Sequence, residues 1–125
     1  MRALFVLLAL AACGGDETVA AYGGAGSWEL RELDGVAADG LSLTFGANGE
    51  VSGEAPCNLL NGTQTAPYPW FELSGLAVTR RACPDLAREE ALIARLTAMS
   101  ISEVSGDVLI LSDPEAGEMT FARVP

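Results

Sequence analysis

The chain has 125 residues, half of them apolar, with a formal net charge of −10. All seven basic residues are arginines; there is no Lys and no His. That composition lacks the clustered cations that counterion-release binding to nucleic acid requires, and the polybasic run that would attract anionic lipid. It also removes the Ser-His, Cys-His and Ser-Lys pairs of nucleophilic catalysis. The length suits one domain with a single core.

The first element is an apolar run, Ala3 to Ala12, behind a single charge at Arg2. A membrane-spanning helix needs about 20 apolar residues, so this run suits the h-region of a secretory signal that is removed before folding. Leu10-Ala11-Ala12-Cys13 resembles the lipobox of bacterial lipoproteins, in which the cysteine is acylated and cleavage occurs before it. An ordinary signal peptide cut after Ala12 would instead leave Cys13 as a free thiol, a liability in an oxidising compartment. Gly14 and Gly15 follow, with no Asp next to the cysteine, which resembles outer-membrane sorting rather than inner-membrane retention. Residues 1–12 are therefore expected to be the signal peptide, with Cys13 lipidated and the protein held in the cell envelope, facing the periplasm. Loss of Arg2 leaves the mature chain still more acidic, which favours solubility and biases it toward cationic partners.

Residues 13–26 are small and Gly-rich, and predict a lipid-anchored flexible tether with a reach of about 20 Å. The folded domain is expected over residues 27–125. Trp28 and Leu30 alternate with polar neighbours and predict a strand over 27–33, ended by Asp34-Gly35. Leu41, Leu43 and Phe45 predict a second strand. Asn48-Gly49 tolerates the positive φ of a tight hairpin and leads into a return strand over 50–54. Pro56 ends that strand, because proline cannot donate to the ladder. Residues 57–63 read as less regular. Residues 70–73 and 76–79 flank Ser74-Gly75 and predict a bent strand or a tight pair.

Once Cys13 is set aside, Cys57 and Cys83 remain, and an even pair outside the cytosol reads as one disulfide. A reactive thiol pair is the weaker reading, since no His or Lys is present and there is no Cys-x-x-Cys. Pro84 suits a first helical turn, and residues 85–98 lack Gly and Pro and are rich in Ala, Leu, Glu and Arg. Leu86, Leu92, Ile93, Leu96 and Met99 share one face of this helix, and Glu89 falls inside it. Three strands close the chain at 101–104, 108–111 and 119–124.

Four stretches in this order resemble the META domain, the HslJ-like family of small bacterial envelope proteins. They are Trp28-x-Leu30 with Leu33-x-Gly35; Leu43-x-Phe45 with Gly49-x-Val51-x-Gly53; Cys57-Asn58 with Gly62; and Thr79-Arg80-Arg81-Ala82-Cys83-Pro84, then Glu89 with Leu92, Ile93 and Leu96. Gly106-Asp107-x-Leu109-x-Leu111 fits the family's penultimate hairpin. Two positions depart from the pattern: Pro56 stands where the family usually has Gly, and Leu59 or Leu60 where it has an aromatic. The resemblance implies a mainly β (α+β) fold, an antiparallel sheet forming a cracked barrel or cone with one helix packed across it. It further implies an envelope location, in some members a link to heat or antibiotic stress, and no established catalysis. The fold is also similar to the pilotin lipoproteins of secretion systems, some of which hold an acyl chain or peptide in the barrel.

Glu89 is the most pointed residue, because a carboxylate on a packed face must find a partner or protonate. Arg80 or Arg81 is one candidate partner and backbone N–H groups are another; a polar pocket floor is the functional alternative. Asn58 and Thr79 read as turn and cap residues before ligand contacts. Asp113, Glu115 and Glu118 share one turn but lack the oxygen spacing of a calcium loop. Asn61-Gly62-Thr63 matches a glycosylation pattern that carries no weight in a bacterial lipoprotein. The expectation is a monomeric, non-catalytic binding or interaction module without metal or cofactor. Its expected partners are the membrane, through the lipid anchor, and an envelope protein or apolar ligand. The alternative is a carrier with a hollow barrel. An interior filled by Leu30, Leu43, Phe45, Leu73, Leu92, Ile93, Leu96 and Leu109 would exclude it; an apolar cavity above about 300 Å³ would support it.

Overall fold

The structure is a computed structural model that describes residues 15–125. The expected signal segment, residues 1–12, and the expected lipidation site Cys13 lie outside the described residues. The strands are β1 (Gly26–Leu33), β2 (Val36–Ala37), β3 (Ser42–Phe45), β4 (Glu50–Glu54), β5 (Leu59–Gln64) and β6 (Leu73–Val78), then β7 (Ile101–Ser105), β8 (Val108–Asp113) and β9 (Gly117–Arg123). One helix, α1 (Leu86–Ala98), stands between β6 and β7. All neighbours in the sheet are antiparallel, in the order β6-β5-β4-β3-β1-β9-β8-β7, and the short β2 pairs with β1. The sheet curls into a half-barrel with β6 and β7 at its two edges, and Trp70, three residues ahead of β6, bridges to Ile101 of β7. The chain crosses between those edges as α1, which adds Leu92 and Leu96 to the common core.

Strand alternation accounts for the inside. Trp28 and Leu30 on β1, Leu43 and Phe45 on β3, Leu109 and Leu111 on β8, and Met119 and Phe121 on β9 all point inward. Each such side chain contributes roughly 1.5–3 kcal/mol on leaving water. Two bulges bend the sheet. An extra residue on β1 separates the Leu30–Phe121 and Glu32–Thr120 pairs. Another, on β6, separates Asn61–Ala77 from Thr63–Ser74, with Gly75 at φ 59°. A bulge increases local twist, so these irregularities help the sheet curl. The β3–β4 hairpin turns through Asn48 (φ 58°) and Gly49 (φ 75°), the left-handed geometry expected of that dipeptide.

Several expectations need correction. The segment assigned to the tether is ordered before residue 27. Val19–Tyr22 forms a 3₁₀ turn, Val19 is fully buried, and Trp28 Nε1 donates to the Gly24 carbonyl at 2.8 Å. A small, Gly-rich composition does not preclude packing when one apolar residue finds a slot. The patch 57–63, read as less regular, runs from residue 59 onward into the full strand β5, because Leu60 and Gln64 point into the core between two partner strands. Pro84 precedes the N-cap Asp85 instead of sitting in the first helical turn. Leu86, placed on the packed face, is 37 % exposed, since it lies beyond the sheet's cover at the helix start.

Candidate functional site

The β4–β5 loop carries Pro56, Cys57 and Asn58, and the strand-to-helix segment carries Thr79 to Pro84. Cys57 and Cys83 are joined as a disulfide with Cα atoms 5.7 Å apart, a separation normal for the bond. Beside this staple, α1 delivers Glu89 from its first turn. Glu89 Oε1 accepts from the backbone N–H groups of Cys57 (2.9 Å) and Asn58 (2.7 Å), and Oε2 accepts from Asn58 Nδ2 (2.7 Å). The carboxylate is 2 % exposed. Burial pushes its pKa up, but the Asn58 amide and the two backbone donors outweigh that and hold it below the ordinary glutamate range. Of the partners open at the sequence level, backbone N–H groups are realised. Arg80 and Arg81 make no ion pair with Glu89.

Asn58 spends its whole amide on structure. Nδ2 donates to Glu89 and to the Arg81 carbonyl (3.1 Å), while Oδ1 accepts from Thr79 Oγ1 (3.0 Å) and from the Arg81 backbone N–H. Those four contacts exhaust the side chain's donors and acceptors. Thr79 Oγ1 also accepts from the Leu59 N–H at 2.9 Å, tying the start of β5 to the end of β6. Asn58, Thr79 and Glu89 thus form a polar plug in which the Asn58 amide is fully committed, and all three residues border the grooves that flank it.

Arg80 and Arg81 differ. Both side chains are exposed. Among the described residues, the other arginines each sit in an ion pair: Arg31 with Glu29, Arg88 with Asp39 and Asp85, Arg95 with Asp34, and Arg123 with Asp107. Arg80 and Arg81 have no such partner. They line two grooves that flank the plug. One, of about 660 Å³, runs along Glu54, Pro56 and Leu59. The other, of about 700 Å³, lies between β6 and α1 over Leu76, Val78, Leu86, Ile93 and Ala94. The second offers a largely apolar wall with two cations at its rim and the exposed Glu90 on its helix side, a combination suited to a group with an anionic end and an apolar body.

The acidic turn near the C-terminus is self-contained. Asp113 accepts from Ser100 Oγ (2.6 Å) and from the N–H groups of Glu115 and Ala116, which hold its pKa below the ordinary range despite some desolvation. Among the described residues no group of three or more Cys, Asp or Glu side chains is placed to hold a metal ion. The Asn58 hub and the β6–α1 groove were not legible in the sequence. The parts of the hub lie 21 to 32 residues apart along the chain, and the groove exists only where β6 and α1 come together, so no short-range spacing encodes them. The one available signal was polar: an Asn directly after a cysteine, and a Glu within an apolar helical stripe.

The chain matches none of the curated proteins. Solved structures do resemble it. A DUF4847 family protein from Bacteroides vulgatus superposes with a TM-score of 0.66 at 15 % identity, covering 85 % of this chain and 97 % of that one. A protein from Burkholderia xenovorans gives a TM-score of 0.67 at 23 % identity, covering 85 % and 87 %. At these identities the likeness establishes the fold alone. The family model of the META domain matches residues 21–125, which include every strand, the helix, the plug and both grooves, and the chain belongs to the META domain family.

Proposed function

We propose that this chain is a bacterial envelope lipoprotein, acylated at Cys13, whose META domain works as a non-catalytic binding module. Its working face is the β6–α1 groove with Arg80 and Arg81 at the rim. One observation carries the reading: in a chain of net charge −10, the only arginines without an ion pair among the described residues are adjacent and border an apolar groove. Leaving two cations unpaired amid an excess of carboxylates makes sense if an anionic partner group completes them. Asn58, Thr79 and Glu89 beside the groove are hydrogen-bonded into the plug, which favours contact over chemistry. The alternative, a carrier with its ligand inside the barrel, is disfavoured by the filled interior. Trp28, Leu43, Leu96, Leu109, Leu111, Met119 and Phe121 are each at most 1 % exposed.

Native mass spectrometry of the envelope-extracted protein tests both halves. The expected result is the acylated mass of residues 13–125, with a co-bound lipid or protein that the Arg80→Ala/Arg81→Ala double variant loses. An unacylated Cys13 would overturn the anchor. Acylated protein whose bound species survives the double variant would overturn the assigned face.

A further inference from the structure

The described chain joins its folded body through an aromatic corner. The Glu17 carbonyl accepts from the Tyr68 N–H at 2.7 Å. Five residues after Glu17, the Tyr22 ring stacks on Tyr68 with centroids 4.9 Å apart and planes 9° from parallel. Tyr68 is held by its hydroxyl, which accepts from the Val104 N–H at 3.2 Å. Two residues on, Trp70 is 59 % exposed, and Tyr22 is 55 % exposed. Among the described residues these are the two aromatic side chains most open to solvent, whereas Trp28 is fully buried.

Chain length says what meets that surface. Four peptide steps separate Cys13 from Glu17, and a chain spans at most about 3.3–3.6 Å per residue. An acyl-bearing Cys13 therefore keeps the Tyr68 corner within roughly 15 Å of the lipid headgroups. Tyr and Trp settle at that depth, where an apolar ring with a polar tip suits both phases. The exposed carboxylates near the corner, Asp16 and Glu17 on the incoming chain and Glu103 beside Val104, disfavour an anionic surface.

We infer that Tyr22, Tyr68 and Trp70 form a membrane-interface contact that seats the domain on a zwitterionic lipid surface with this corner toward the bilayer. The inference rests on the proposed acylation of Cys13 and adds an orientation to it. β6 begins three residues after Trp70 and ends two before Arg80. A strand of that length carries the chain about 20 Å, so the arginine-rimmed groove sits at the end of β6 away from Trp70, clear of the lipid.

The two tryptophans make the test internal, since Trp28 is buried and Trp70 is not. The full lipoprotein is placed in phosphatidylcholine vesicles with brominated acyl chains, its intact mass is recorded, and its fluorescence is read. The acylated protein is expected to lose roughly half its emission, the share of the interfacial Trp70, and Trp70→Phe is expected to abolish the loss. Residual Trp28 emission in that variant reports an intact core. An acylated mass with unquenched emission overturns the orientation and leaves the anchor standing; an unacylated mass overturns both. Stronger quenching in phosphatidylglycerol vesicles than in phosphatidylcholine overturns the zwitterionic assignment.

Discussion

Glu89 keeps a charge inside a packed face because three N–H groups are aimed at its two oxygens. Glu89→Gln turns one of those oxygens into a donor facing Asn58 Nδ2, whose own oxygen is already held by Thr79 and Arg81. Unsatisfied buried donors cost about 1–3 kcal/mol, and chemical denaturation should show a loss of that size. The pH dependence follows from the sign of the shift. The folded pKa is depressed, so the stabilisation is present above the unfolded value, near pH ~4.3, and is lost as pH falls through the lower folded value. Asp34 and Asp113 are shifted the same way, Asp34 chiefly by its hydrogen bond from Arg95. Acid unfolding of the wild type should therefore be steeper below that pH than acid unfolding of Glu89→Gln. Among the described residues Arg80 and Arg81 make no ion pair and both are exposed, so Arg80→Ala and Arg81→Ala should each stay within about 0.5 kcal/mol of wild type.

At the scale of elements, the β4–β5 loop and the segment leading into α1 are held by a covalent staple beside the polar plug. Replacing both Cys57 and Cys83 by Ser should cost about 2–4 kcal/mol, read as a lower Tm than the oxidised wild type. The β3–β4 turn makes a sharper demand. Gly49 has φ 75°, and a Cβ there would lie 2.8 Å from the Gln64 carbonyl oxygen. Gly49→Ala should destabilise by about 1–3 kcal/mol, whereas Gly35→Ala, with φ 79° and no atom within 4 Å, should cost less. The hairpin was legible because the φ requirement of Asn48-Gly49 is local. Strand β5 was not: its residues Asn61 and Gly62 have poor strand propensity, and pairing on both sides holds them extended. For Glu89 the sequence exposed the problem, a carboxylate on an apolar stripe, without its solution, because the answering N–H groups belong to residues 57 and 58.

For the molecule as a whole, the boundary of the folded body is the quantity most changed by three dimensions. Val19 is fully buried, the Gly24 carbonyl caps the Trp28 indole, and Arg123 reaches back to the Gly23 and Ala25 carbonyls while lying 4.3 Å over the Trp28 ring. A chain trimmed to start at residue 27 should therefore be less stable than one starting at residue 15, by several kcal/mol on summing a lost core side chain and unpaired polar groups. Paired denaturant melts of the two truncations check this. The amino-acid sequence by itself determined the alternation that makes strands, the turn at Asn48-Gly49 and the helix, since each depends on neighbours a few residues apart; the cysteine pair followed from counting cysteines, and the family resemblance from the order of the motifs. Tertiary structure alone decided that Asn58 is the hub of a plug, that Arg80 and Arg81 find no ion pair among the described residues and border a groove, and that Tyr22 meets Tyr68. Those facts join segments that a linear pattern leaves independent, and the curl of the sheet brings them within hydrogen-bonding and stacking distance.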